Sequence, residues 1–214
     1  MSKRAFFTII FLAFILLFAY FIIYRTSMSE ESKNLEGKRV VLIIAQEGFQ
    51  DKEFNNTKEV LEKEGASVSV ASKNVFFPAR GKFGLEVKPD IKIEGLKVDE
   101  FDGIVFIGGP GATAYVNDDT AHQIARQAVE KGKVLGAICI APEILAKAGV
   151  LENNKATVWS NALDKTPVDI LKEGGAIYVD EPVVVSGKIV TANGPEAAGD
   201  FGRAIARLLK MTND

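Results

Sequence analysis

One cysteine, one glutamate and a pair of glycines carry most of the chemistry that this sequence offers. Cys139 stands in the run Ala137-Ile138-Cys139-Ile140-Ala141, between an apolar stretch and Pro142, a residue suited to the first position of a helix. Small residues two before and two after a nucleophile suit a sharp strand-to-helix turn, by analogy with the nucleophile elbow of hydrolases. A thiol at such a helix start is drawn towards thiolate by the unpaired amides, Ile140's included, and by the dipole. Gly108-Gly109-Pro110-Gly111 follows a second apolar run, where glycines let the backbone approach a reacting group and offer amide donors to a developing oxyanion. The spacing fits neither the dinucleotide glycine pattern nor a Walker loop. Glu53, in Glu47-Gly48-Phe49-Gln50-Asp51-Lys52-Glu53, opens a helix, and from there its carboxyl group would hold or shuttle a proton beside the thiolate. Each residue also has a plain reading: an inert buried cysteine, a structural turn, a solvated acid. His122, in a polar opening turn, reads as a surface residue.

Counting narrows the chemistry. Cys139 is the only cysteine and His122 the only histidine, so neither an intrachain disulfide nor a thiolate–imidazole zinc cluster can form. No metal and no cofactor are expected. Residues 1–25 hold three of the 26 basic residues and no acidic one, and 8 of the 19 aromatics fall within the first 24. The other 189 residues carry 23 Lys and Arg against 28 Asp and Glu, a net charge of −5. That mildly acidic body, with no block of like charge, offers no footprint for nucleic acid.

The elements that must position these residues follow from periodicity. Arg39–Ala45, Ser67–Ala71, Gly103–Ile107 and Lys133–Ile138 read as buried strands. Asp51–Glu64, with Phe54, Val60 and Leu61 inward, and Asp119–Lys131, with Ile124, Ala128 and Val129 inward, read as helices stopped by Gly65 and Gly132. Shorter helices are expected at Pro142–Lys147 and Val168–Glu173, a hairpin at Val183–Thr191 and a last helix at Pro195–Lys210. Strands alternating with helices predict an α/β fold with a mainly parallel sheet covered on both faces and a site beyond the carboxyl ends of its strands.

Ala5–Tyr24 is apolar apart from Thr8 and, as a helix, spans about 30 Å, the thickness of a bilayer core. The expected organisation is therefore an N-terminal membrane anchor over residues 1–26 with its transmembrane helix at 5–24, a flexible linker over 27–37 and a domain over 38–214. Lys3 and Arg4 before the segment favour a single-pass protein with an extracytoplasmic body.

From about Lys38 to Leu209 the body resembles the PfpI family, relatives of intracellular cysteine peptidases and of the parkinsonism-associated deglycase within the class I glutamine amidotransferase-like superfamily. The likeness is carried by Val41–Phe54 (VLIIAQEGFQDKEF), Gly81–Val87 (GKFGLEV), Phe101–Gly109 (FDGIVFIGG), Ala137–Val150 (AICIAPEILAKAGV) and Val183–Asn193 (VVVSGKIVTAN). It implies a flavodoxin-like three-layer sandwich. It also implies Cys139 as the elbow nucleophile, Glu53 as the acid hydrogen-bonded to it, and Gly108, Gly109 and Ile140 as the backbone donors. Assembly as a homo-oligomer is implied as well.

The departures redirect the function. Peptidase-type members place a histidine straight after the cysteine, where this chain has Ile140, and draw a glutamate from a neighbouring subunit where it has Thr113. Ala141 replaces a glycine, and Gln50 stands where many relatives carry an acid. Amide hydrolysis needs a base and then an acid for the amine, so peptidase activity is disfavoured. The cysteine–glutamate pair points to a glyoxalase- or deglycase-like activity or a hydrolase, acting on small reactive carbonyls or damaged proteins. The alternative is a redox-sensing or chaperone-like stress protein whose cysteine is oxidised beside Glu53.

Overall fold

The computed structural model describes residues 15, 17–20 and 35–212. The chain divides into two units, Met1–Asn34 and Leu35–Asp214. In the first, Ile15 and residues 17–20 are helical and exposed. The rest of the expected anchor, and the expected linker up to residue 34, lie outside the described residues. Spanning a bilayer takes about 20 continuous apolar helical residues. Among the described residues no helix is long and apolar enough to cross a membrane. The expected transmembrane helix at 5–24, and with it the membrane location and the extracytoplasmic body, are therefore not supported.

The second unit begins earlier than the sequence suggests, because Leu35 is fully buried and its N–H donates to Glu64 O at 2.8 Å. Its strands are β1 (Arg39–Ile43), β2 (Glu47–Phe49), β3 (Ser67–Ser72), β4 (Ala79–Gly81), β5 (Glu86–Val87), β6 (Ile91–Lys92), β7 (Gly103–Phe106), β8 (Val134–Ile138), β9 (Lys155–Ala156), β10 (Ile177–Tyr178), β11 (Val183–Ser186) and β12 (Ile189–Ala192). Seven of them form one sheet in the order β11-β12-β8-β7-β1-β3-β6, parallel throughout except for the β11–β12 hairpin. Every residue of β7, β8 and β12 is buried, so these central strands are covered on both faces, as their unbroken apolar runs require. The architecture is α/β and flavodoxin-like.

The chain leaves β1 in one direction to β3 and returns on the other side to β7 and β8. The carboxyl ends of β1, β7 and β8 therefore flank the point where strand order reverses, the place where such sheets open a crevice. Helix Asp51–Lys63 follows β1 and packs against the last helix, Ala198–Met211. That last helix starts three residues later than the sequence suggests, since Pro195–Ala197 closes as a 3₁₀ turn. Its Phe201 is fully buried and presses on β8 so closely that a Cβ at Gly136 would lie 3.0 Å from the Phe201 ring. β8 is the strand that delivers Cys139.

Phe201→Ala is expected to cost about 3–5 kcal/mol of folding stability, because the ring backs a strand that has no side chain of its own there. Urea unfolding followed by circular dichroism measures it; a loss below about 1 kcal/mol would show that the packing relaxes around the gap.

Candidate active site

Three backbone segments meet at the strand ends: residues 44–50 after β1, Gly108–Gly111 after β7, and Cys139 after β8. Cys139 adopts φ 64°, a left-handed conformation that residues with a Cβ rarely take. Hydrogen bonds on both sides hold it there: its N–H donates to Ala192 O at 2.9 Å, and its carbonyl accepts from Trp159 N at 2.8 Å. The chain then turns at once into helix Pro142–Lys147. Cys139 remains 9% exposed, enough to reach a pocket.

Glu53 arrives from the first turn of helix Asp51–Lys63 and is wholly buried. Its Oε2 accepts from Gly108 N at 3.1 Å, while Oε1 is buried with no hydrogen-bond partner. The carboxyl group and the Cys139 thiol are close enough for each to shift the other's ionisation. Burial raises the Glu53 carboxyl group to about 7, against the opposing pull of the thiol and of the Gly108 amide. Burial, followed by the charge of Glu53, pushes the Cys139 thiol up to about 12, while the amides of Gly109 and Ile140 act in the other direction. Two adjacent buried acids of this kind release their protons in two steps and carry one negative charge between them over the interval.

Close approach explains the double glycine. A Cβ on Gly108 would lie 2.5 Å from Cys139 Cβ, 2.6 Å from Ile138 O and 2.7 Å from Glu53 Oε2. Gly109 has φ 100°, and a Cβ there would strike the backbone of residues 48–50. The structure thus brings Cys139, Glu53, Gly108, Gly109 and Ile140 into one place. His122 lies elsewhere: it is half-buried in the opening turn of helix Asp119–Glu130, with Nε2 2.8 Å from Val116 O. Thr113 turns back on its own loop, Oγ1 donating to Pro110 O at 2.8 Å.

Several residues around the pocket had no role from the sequence alone. Gln50 caps the Glu53 helix, its Oε1 accepting from Lys52 N at 2.6 Å and Glu53 N at 3.3 Å, while its own N–H donates to Gly108 O at 3.0 Å. Asp51 reaches across to the turn between β4 and β5, accepting from Phe83 N at 3.0 Å and Leu85 N at 2.8 Å. That turn sets Lys82 at the pocket. The cavity holds about 330 Å³, with Glu53 and Cys139 in its lining and Ile140, Trp159, Pro110 and Pro195 as apolar walls. Trp159 is the only tryptophan in the sequence and is followed by the polar pair Ser160-Asn161, the one contrast that could have marked it.

Comparison with known proteins agrees with the fold. Residues 38–208 match the model of the DJ-1/PfpI family. A deglycase of Pyrococcus furiosus is 33% identical over 172 residues, covering 79% of this chain and 99% of its own. A Caenorhabditis elegans protein described as a glutathione-independent glyoxalase is 28% identical over 173 residues, 81% of this chain and 89% of its own. The crystal structure of a ThiJ/PfpI domain protein from Brachyspira murdochii superposes with a TM-score of 0.77 at 29% identity, covering 84% of this chain and 98% of the other.

The raised Glu53 carboxyl group makes a signed prediction. Between pH 4.5 and about 7 an unfolded Glu53 is ionised while the folded one keeps its proton, so stability is present below that window and falls as pH rises through it. Glu53→Gln lacks this loss and should gain about 3 kcal/mol on the wild type between pH 4.5 and 8. Urea midpoints of both proteins at the two pH values test it; parallel pH dependences would show that the carboxyl group is not held protonated.

Proposed function

The chain belongs to the DJ-1/PfpI family, and from that premise we propose that it is a cysteine-dependent glyoxalase- or deglycase-like enzyme acting on reactive carbonyl compounds. The observation that carries the reading is the wholly buried Glu53 carboxyl group beside a thiol held at φ 64° over a pocket. It supplies a nucleophile and a proton carrier that ionises near neutrality, the range in which general acid–base catalysis is most effective.

The steps follow from where the protons sit. With one proton gone, the pair reacts as a thiolate beside a neutral carboxyl group. Cys139 Sγ bonds to the aldehyde carbon, the carbonyl π electrons move to oxygen, and Glu53 delivers its proton there, forming a hemithioacetal. The Gly109 and Ile140 amides favour negative charge at the sulfur, and in this reading they ease the build-up on the oxygen as well. For a 2-oxoaldehyde, the Glu53 carboxylate then removes the proton from the former aldehyde carbon, the electron pair shifting to give an enediol as the neighbouring ketone oxygen takes up a proton. Glu53 returns its proton to the neighbouring carbon, and the former aldehyde oxygen loses its hydroxyl proton as its carbonyl forms. The product is a thioester of a 2-hydroxy acid. Water cleaves it and restores the thiol.

Aldehyde addition expels no leaving group, so it does not need the imidazole that amide cleavage demands. Ile140, not a histidine, follows the cysteine, and the apolar walls suit a small carbonyl compound better than an extended peptide. Peptidase activity is disfavoured on both counts.

Full-length protein should turn over methylglyoxal, and Cys139→Ser should lower kcat/KM at least about 100-fold. Equal rates for the two would end the proposal. In the wild type kcat/KM should rise with pH through about 7, as the pair loses its first proton, and then level off. A flat profile from about pH 6 to 8 would detach Glu53 from the reaction.

A further inference from the structure

The pocket contains a single basic side chain, Lys82, and its position is built with care. It lies on the turn between β4 and β5, which is tied down on three sides. Lys82 N donates to Phe49 O at 2.7 Å, Gly81 N donates to Leu85 O at 2.8 Å, and both Asp51 carboxylate oxygens are taken up by the amides of Phe83 and Leu85. A side chain at position 81 would have to displace the Asp51 carboxyl group, from which its Cβ would lie 2.5 Å. Asp51 is two residues from Glu53 on one helix, so the charge at the rim and the acid at the floor are fixed to the same element.

Lys82 takes part in no ion pair among the described residues; its Nζ lies 5.4 Å from the centroid of the exposed Phe83 ring. The nearby charges are spent on one another: Lys52 Nζ meets Glu196 Oε2 at 2.7 Å, and Arg80 meets Glu86 at 3.0 Å. The other charge in the pocket lining belongs to the Cys139–Glu53 pair, which is negative in its reactive state. A second negative charge entering an apolar-walled cavity over that pair would be repelled unless a cation met it, and an ammonium group at the mouth does so as a point charge. The cavity, at about 330 Å³, also leaves room beyond a three-carbon aldehyde.

Resting on the carbonyl-addition reading above, we infer that Lys82 is the anion-recognising residue of this pocket and that the favoured carbonyl compounds carry a carboxylate or phosphate group. The aldehyde end reaches Cys139 and the anionic end stays at the rim beside the ammonium group.

The test that needs no carbonyl chemistry uses alkylation of the single thiol. Iodoacetate and iodoacetamide transfer almost isosteric groups to Cys139: a C–S bond forms, the C–I bond breaks and iodide leaves. They differ in charge. The ratio of their rate constants, iodoacetate over iodoacetamide, should fall about five-fold or more in Lys82→Gln, recover in Lys82→Arg, and shrink in the wild type as salt is raised to about 0.5 M. A general disturbance of the site slows both reagents together and leaves the ratio alone, so an unchanged ratio in Lys82→Gln overturns the inference.

Steady-state kinetics extend the test to substrates. The preference for 4-carboxyphenylglyoxal or hydroxypyruvaldehyde phosphate over methylglyoxal should drop by a similar factor in Lys82→Gln, and the larger drop identifies which anion the rim favours. Loss of the alkylation effect with methylglyoxal still turned over would sink the role of Lys82 alone. A clear alkylation effect with no turnover of any of the three would sink the enzymatic reading instead.

Discussion

Two ionisable groups are buried side by side in this molecule, and burial opposes charging both at once. Nearly every local feature of the site follows from accommodating Glu53 and Cys139 with one negative charge between them. The carboxyl group must come from a helix start, where Gln50 caps the backbone, so that helical geometry aims it inwards. The thiol must come from the opposite side, off a central strand, with its own backbone forced into a left-handed turn to present it. Between them only Gly108 fits, because any Cβ there would occupy the space in which thiol and carboxyl group meet. Desolvation then does the electrostatic work. It holds the carboxyl proton up to about neutrality, which is what a proton carrier needs at working pH.

Much of the frame was legible before any coordinates. Largely apolar runs such as Arg39–Ala45 and Lys133–Ile138 read as strands buried on both faces, and the helices between them are long enough to show their period. Cys139 and the double glycine stand just past two such runs, and the family resemblance is what joined Glu53 to them. What stayed hidden was short or tertiary. β2, β4 and β5 have two or three residues each, too few for any period to register, yet they build the rim that carries Lys82. Asp51 reads as an ordinary first-turn acid. Its work, gripping a turn more than thirty positions further on, comes only from the fold.

The amino-terminal twenty-odd residues teach the opposite lesson. Hydropathy alone made Ala5–Tyr24 look like a membrane span, since a local apolar count needs no tertiary information. No described helix has the length that such a span requires. The second unit opens with Leu35, whose amide donates to the carbonyl of Glu64 at the end of helix Asp51–Lys63. That is a contact between distant parts of the chain rather than a property of any window.

The backbone at Cys139 has one more consequence. A left-handed conformation costs a residue with a Cβ of the order of 1 kcal/mol or more, and glycine or asparagine at that position would relieve it. A buried carboxyl group adjoining it is a second local penalty. Both lie in the same small volume, and both vanish with single substitutions. Drift under selection for folding alone would therefore erase this corner of the protein early, long before it touched the well-packed sheet beneath. A strained cysteine and an unpaired buried acid oxygen stand together in this chain, and on the proposed reading it is use that holds them there.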